Sequence, residues 1–239
     1  MFRTTIYGEN QREDDQNFDW QAFFSREAGE NIFKTLDLER LVTTLREYLR
    51  EDRFKMTFVL GRMMRFLLKE VNLTRNGRIL ELGAATGFLS RWLLSQYGGT
   101  AVLVDNSKAS YQAYCSLKNP FKKDITYVNQ DMFLLELAGT FDLVCSFGLI
   151  EHFIDKKEVI EVHQRFLAPR GFVLILVPLD TPLTRIFWEL HPELNRGYRE
   201  LLTENEFYDL LEKNGLEVMG TQCSFGYSYD FIGGLCRKK

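Results

Sequence analysis

The sequence predicts an α/β protein: a doubly wound, mostly parallel sheet with helices on both faces, preceded by a helical N-terminal segment. Two observations carry this expectation. From Gly77 onward, short runs rich in β-branched and aromatic residues alternate with helical patterns, as a parallel sheet covered on both faces requires. The first of these runs empties into a turn of small residues, Gly83-Ala84-Ala85-Thr86-Gly87, directly ahead of a helical pattern.

The strand runs follow in order: Arg78 to Leu82, Ala101 to Asp105, Ile125 to Asn129, Phe141 to Phe147 and Gly171 to Val177. Two more in the tail, Leu216 to Ser224 and Tyr229 to Arg237, read as an antiparallel pair at one edge and bring the sheet to seven strands. Between them, Phe88 to Tyr97 carries Leu89, Trp92 and Leu93 at helical spacing and stops at Gly98-Gly99. Lys108 to Lys118 is stopped by Asn119-Pro120, and Asp155 to Leu167 opens on an acidic cap and ends before Pro169-Arg170-Gly171. Glu204 to Asn214 has Thr203 as its cap and Gly215 as its stop.

The N-terminal third lacks strand signals. Leu36 to Arg50 sets Leu38, Leu41, Val42, Leu45, Tyr48 and Leu49 along one helical face, and Phe54 to Val71 reads as a second helix. Residues 1–75 are therefore expected to form a helical cap whose apolar face docks over the ligand edge of the sheet. Residues 76–239 form the α/β domain, with an insertion at about 179–200.

At 239 residues the chain suits one α/β domain with additions. Thirty basic against thirty-three acidic residues leave a formal charge of −3, which gives no overall field for a phosphate backbone, so no nucleic-acid partner is expected. Apolar runs such as Phe172 to Val177 are too short to span a bilayer, and Met1 to Gln16 is polar and acidic, unlike a secretory leader. A cytoplasmic protein, monomeric or homodimeric, is expected. The four cysteines, Cys115, Cys145, Cys223 and Cys236, form no C-x-x-C pair and read as buried free thiols.

The turn after the first strand is where the backbone of such a fold can approach a nucleotide-like ligand closely. The glycines at 83 and 87, with Ala85 between them, do not make the G-x-G-x-x-G of a dinucleotide site. Asp105 closes the second strand, where an acid can accept from both hydroxyls of a ribose or cap the helix beginning beyond Ser107. Asp131 and Met132 follow the third strand. The fourth runs into Phe147-Gly148-Leu149-Ile150-Glu151-His152-Phe153, and the fifth is approached by Leu167-Ala168-Pro169-Arg170-Gly171.

Glu81 followed by G-x-x-x-G resembles the first motif of the class I S-adenosylmethionine-dependent methyltransferases, with Ala85 where the family often has glycine. Leu149-Ile150-Glu151-His152 is similar to that family's post-fourth-strand motif, and Leu167 to Gly171 to its turn before the fifth strand. The resemblance covers residues 77 to about 178 in the right order. It implies S-adenosylmethionine as cofactor, with S-adenosylhomocysteine as product. The cofactor-binding residues it implies are Glu81, Gly83, Ala84, Ala85, Gly87, Asp105, Asn106, Asp131, Met132, which would pack on the adenine, and Phe147. Glu81 is open to two roles, orienting the loop through backbone amides or accepting from the methionine amine.

A sulfonium carries an activated methyl group, so the protein mainly aligns the acceptor and excludes water. His152, on the loop that faces the methyl in this fold, is the candidate general base; a structural role is its alternative. Gly148 stands where some members place the first acid of a metal-binding E-x-x-E-H, and no metal is expected. Candidate acceptor-binding residues are Tyr7, Trp20 and Phe24 in the N-terminal segment, Gly148 and Glu151 after the fourth strand, and Arg185, Trp188, His191 and Tyr198 in the insertion. Aromatic lids suit a small, partly apolar acceptor methylated on nitrogen or oxygen. A protein or peptide acceptor, or a non-catalytic cofactor-binding subunit, are the alternatives.

Overall fold

A computed structural model describes residues 60–69, 71, 73, 76–117, 119–191, 197–225 and 229–239. Its elements are α1 (Gly61–Leu67), β1 (Arg78–Leu82), α2 (Phe88–Tyr97), β2 (Thr100–Val104), α3 (Lys108–Ser116), β3 (Ile125–Val128), β4 (Phe141–Phe147), α4 (Lys156–Arg165), β5 (Leu167–Pro178), α5 (Pro182–Leu190), α6 (Glu204–Lys213), β6 (Leu216–Ser224) and β7 (Phe231–Lys238). Short 3-10 turns, Met132–Leu134 and Ile150–His152, follow β3 and β4.

The seven strands lie in the order β3-β2-β1-β4-β5-β7-β6, parallel except for β7, which runs antiparallel to both neighbours. The doubly wound expectation is met. Strand order reverses between β1 and β4, which opens a crevice beyond their carboxyl ends. Cross-strand partners share a face, and Tyr127, Leu103, Glu81, Cys145 and Leu174 form one such row across β3, β2, β1, β4 and β5. One core fills the face under α1 and α2, with Leu89, Trp92, Leu93, Leu103 and Leu174; the other lies under α4 and α6, with Val144, Val159, Ile160, Ile175 and Phe207.

Local signals set the helix starts. Asp155 caps α4 by accepting from the amides of Lys157 and Glu158, and Thr203 and Glu206 form a reciprocal capping box on α6. Three expectations need correcting. The helix expected to reach Val71 stops at Leu67, and its described stretch packs on the sheet face instead of over the ligand edge. A Cβ on Gly233 of β7 would stand 3.0 Å from Leu67 and 3.3 Å from Met63, so glycine there lets α1 lie close. β5 starts at Leu167, not Gly171, because Pro169-Arg170-Gly171 is taken into the strand across a register shift opposite Phe141 and Leu143. Cys115 is exposed and Cys223 half-buried, so only Cys145 and Cys236 are buried thiols.

The segment after β5 contains α5, a helix that the sequence reading left without an element. Thr181 accepts from the Thr184 amide and Pro182 opens the helix, a pre-organised start. Thr181 Oγ1 also donates to Asp230 Oδ2 at 2.7 Å, tying α5 to the entry of β7. No helix among the described residues is long and apolar enough to cross a membrane.

Candidate active site

The first half of the site is the turn between β1 and α2. Gly83 and Gly87 hold φ of +62° and +71°, and Ala85 holds +45° despite its Cβ. Gly87 is the N-cap of α2 and has no side chain to satisfy the helix's first amides. Glu81 supplies that group from the preceding strand: its Oε2 accepts from the Ser90 amide at 2.8 Å. Of the two roles open to Glu81, the loop-orienting one is therefore occupied by a visible bond. Burial pushes its carboxyl up to about 7, against the lowering effect of the bonds from Ser90.

Asp105, just beyond β2, knits the turn to its neighbour. Its Oδ2 accepts from the Ala85 amide and its Oδ1 from the Ser107 amide, each at 2.8 Å. Burial raises its carboxyl, and these two amide bonds work against that rise. The helix cap that the sequence offers as a rival role belongs to Ser107, which accepts from Ser110. Asn129 donates to the Asp105 carbonyl at 2.7 Å, and Asn106 is exposed. Asp131 caps the turn after β3 by accepting from Phe133, while Met132 is buried in the core beside Leu135. Ala84 is buried against the first core, and its amide donates to the Val104 carbonyl at 3.0 Å.

The second half lies past β4. Gly148, at φ +66°, leads into the turn Ile150–His152. The Tyr198 carbonyl lies 2.9 Å from His152 Nδ1 and can only accept, so Nδ1 carries the proton and Nε2 keeps its lone pair. Burial first, then Arg199 and Lys156, hold the imidazolium down to about 3, so the ring is neutral throughout the physiological range. Glu151 is 2 % exposed, its Oε1 stands 3.8 Å from His152 Nε2, and its Oε2 has no hydrogen-bond partner. Burial raises this carboxyl to about 7, with Arg199 and Lys156 opposing. Lys156 is buried, donates to the Phe153 carbonyl at 2.9 Å and pairs closely with Glu200, which also accepts from Tyr198 Oη at 2.7 Å.

Beyond this charged layer stands a wall of rings. Phe147, Phe231, Tyr229 and Trp188 follow one another at centroid distances of 5.1, 4.6 and 4.8 Å, and Phe187 and His191 continue the series at 4.9 and 4.7 Å. The Arg199 guanidinium lies 3.6 Å from the Trp188 ring centroid. Among the expected acceptor residues, Trp188, His191 and Tyr198 join this half. Arg185 is instead held in a bidentate pair by Asp180 at 2.6 and 2.7 Å, on the exposed side of α5. Tyr7, Trp20 and Phe24 lie outside the described residues. No group of three or more potential metal ligands occurs among the described residues.

Sequence reasoning missed Tyr127, Lys156, Arg199, Tyr229 and Phe231. No motif marks them; they reach the site through strand register and the fold of the insertion. The two halves touch, since a Cβ on Gly83 would stand 2.6 Å from Leu149 Cδ1 of the loop after β4.

Comparison with known proteins places the fold and the family. A ubiquinone biosynthesis O-methyltransferase from Caulobacter sp. (strain K31) is 28% identical over 167 residues, 66% of this chain and 65% of that protein, so the chain spans just under two thirds of the relative's length. The magnesium protoporphyrin IX methyltransferase of Synechocystis PCC 6803, solved with bound SAH, superposes with a TM-score of 0.63 at 15% identity, covering 94% of this chain and 98% of that one. The N-methyltransferase NodS from Bradyrhizobium japonicum, also solved with SAH, gives 0.58 at 16% identity over 91% and 97%. At these identities the two structures speak for the fold alone. The model of the methyltransferase domain family matches residues 45–220, most of the chain, and the protein belongs to that family.

Proposed function

We propose that this chain transfers a methyl group from S-adenosylmethionine to an oxygen or nitrogen atom of a small, partly aromatic acceptor. The observation that carries the reading is the contact between the two halves at the strand-order reversal, where the Gly83 turn meets Leu149. A ligand held by the first half then presents its reactive group to the second.

The first half fits a nucleoside. A carboxylate has about four acceptor sites, and the backbone amides of Ala85 and Ser107 engage Asp105 once on each oxygen. Acceptor capacity is left on this carboxylate for a ribose hydroxyl. Gly83, Ala84 and Gly87 bring backbone close, with Asn106, Asp131, Met132 and Phe147 around the same edge. When bound, the sulfonium supplies an activated methyl group, so that no metal or nucleophilic side chain is required.

The second half orients the acceptor and receives its proton. As an oxygen or nitrogen takes the methyl group it must lose its hydrogen, and Glu151 Oε2 is a buried acceptor that no protein group engages. A carboxyl near 7 is matched to proton transfer at neutral pH. His152, held by the Tyr198 carbonyl, stands beside Glu151 as a neutral ring. The ring wall supplies an apolar bed and displaces water.

The test is a turnover panel. The chain is incubated with S-adenosylmethionine and phenols, amines or carboxylates, and S-adenosylhomocysteine is quantified; release above background with at least one small-molecule class is expected. Phenols come first because the curated relative is an O-methyltransferase. Binding of S-adenosylhomocysteine with no turnover on any small molecule would overturn the reading in favour of a macromolecular acceptor or a silent subunit.

A further inference from the structure

Ala85 is the one non-glycine residue with positive φ among the described residues, at +45°, and it lies in the turn that faces the cofactor. An L-residue in this region brings Cβ against the following carbonyl and relaxes toward negative φ unless something holds it. Two side chains from neighbouring strands do so. Asp105 takes the Ala85 amide hydrogen at 2.8 Å, and the Tyr127 hydroxyl donates to the Ala85 carbonyl at 2.8 Å, from a position 42 residues away in sequence.

Tyr127 is well placed for this work. It sits on β3 opposite Leu103, in the same cross-strand row as Glu81, and its ring packs against Tyr114 and Tyr111 at 4.9 and 5.2 Å. The ring cannot swing away without losing those contacts, so the hydroxyl is delivered at a fixed point. Burial, with Asp105 and Glu81 nearby, raises the phenol well above its ordinary value, and it remains a donor at every working pH.

We infer that Tyr127 is a positioning residue for cofactor binding, clamping the Ala85 peptide in its left-handed conformation so that this chain keeps the turn a glycine would otherwise hold. This rests on the cofactor reading above. Losing the hydroxyl frees the Ala85 carbonyl, and the turn then populates conformations that cannot receive the ligand.

The experiment is a double-mutant cycle on the full chain, read by calorimetric titration with S-adenosylhomocysteine. Y127F keeps the ring and removes the clamp; it is expected to weaken binding about 5- to 10-fold, the range of one lost hydrogen bond. In the A85G background the left-handed turn carries no Cβ penalty, and adding Y127F there is expected to cost less than about twofold. Equal losses in both backgrounds, or no loss in either, would overturn the clamp, because ring packing alone is blind to residue 85. Circular dichroism melts of all four proteins establish that folding is not what is being read. No heat from the unaltered chain would overturn the cofactor reading itself, and the clamp with it.

Discussion

The two halves of the crevice each bury one glutamate, and the pair invites comparison. Glu81 is 3 % exposed and Glu151 2 %, and burial pushes both carboxyls up to about 7. Their surroundings differ. Glu81 gives an oxygen to the Ser90 amide and so completes the N-terminus of α2. Glu151 stands among Arg199, Lys156 and His152 with Oε2 unengaged. Equal burial of the same residue thus builds a structural cap on one side and leaves a buried carboxylate oxygen without a hydrogen-bond partner on the other. What a buried carboxyl does depends on whether backbone donors already consume it.

The sharpest way to break that comparison is to neutralise the acceptor-side carboxyl. With any acceptor identified in the panel, E151Q is expected to lower kcat by a factor of about 10²–10⁴, the usual contribution of a general base, with little change in S-adenosylhomocysteine affinity. The sign of the pH dependence follows from ionisation. Wild-type kcat rises as pH climbs through about 7 and the carboxylate forms, whereas E151Q gives a flat profile over that window. A variant that keeps the rising limb would assign the proton to a group other than Glu151.

Backbone strain distinguishes the halves next. Gly87 has φ +71°, and a Cβ there would stand 2.3 Å from Cδ1 of the fully buried Leu103; Gly148 has φ +66°, but its Cβ would meet only Glu151 Oε1 at 3.4 Å. G87A combines left-handed strain with overpacking and is expected to cost about 3 kcal/mol, against about 1 kcal/mol for the strain alone in G148A. Urea unfolding of the two variants measures the gap. Similar losses would mean that the turn after β1 is no more tightly built than the loop after β4.

The same division explains what was legible beforehand. The sheet, its order of elements and most helix ends lie in the sequence as local signals: the alternation of runs, Gly98-Gly99 after α2, Thr203 before α6. The left-handed turn at Gly83 and Gly87 was also readable, because a short turn between adjacent elements writes its requirements into nearby residues. The acceptor half is assembled from β4, α4, α5, the segment after it and β7, so Arg199, Lys156 and Phe231 meet only after folding. Arg185 shows the converse failure. It stands one turn from Trp188 on α5 and seemed equally suited to the pocket, but Asp180 at the helix entrance captures it on the outside. The strand start at Leu167 was hidden because Pro169 and Gly171 signal a turn, and a register shift absorbs them without ending the strand.

The remaining effect concerns Glu81 and is a matter of stability. Its folded carboxyl lies near 7 against an ordinary 4.5, so the folded state favours the neutral form. Its contribution to stability is complete below the unfolded value and is lost as pH rises through about 7. Glutamine keeps a carbonyl to accept from Ser90 but cannot ionise. The stability of E81Q relative to wild type should therefore grow between pH 4.5 and pH 8, by on the order of 3 kcal/mol. Glu151 titrates over the same interval in both proteins and drops out of the difference, which makes the comparison specific to the cap. Parallel denaturation curves across that interval would mean that Glu81 ionises as freely folded as unfolded. The two buried glutamates would then differ in electrostatics as well as in partners.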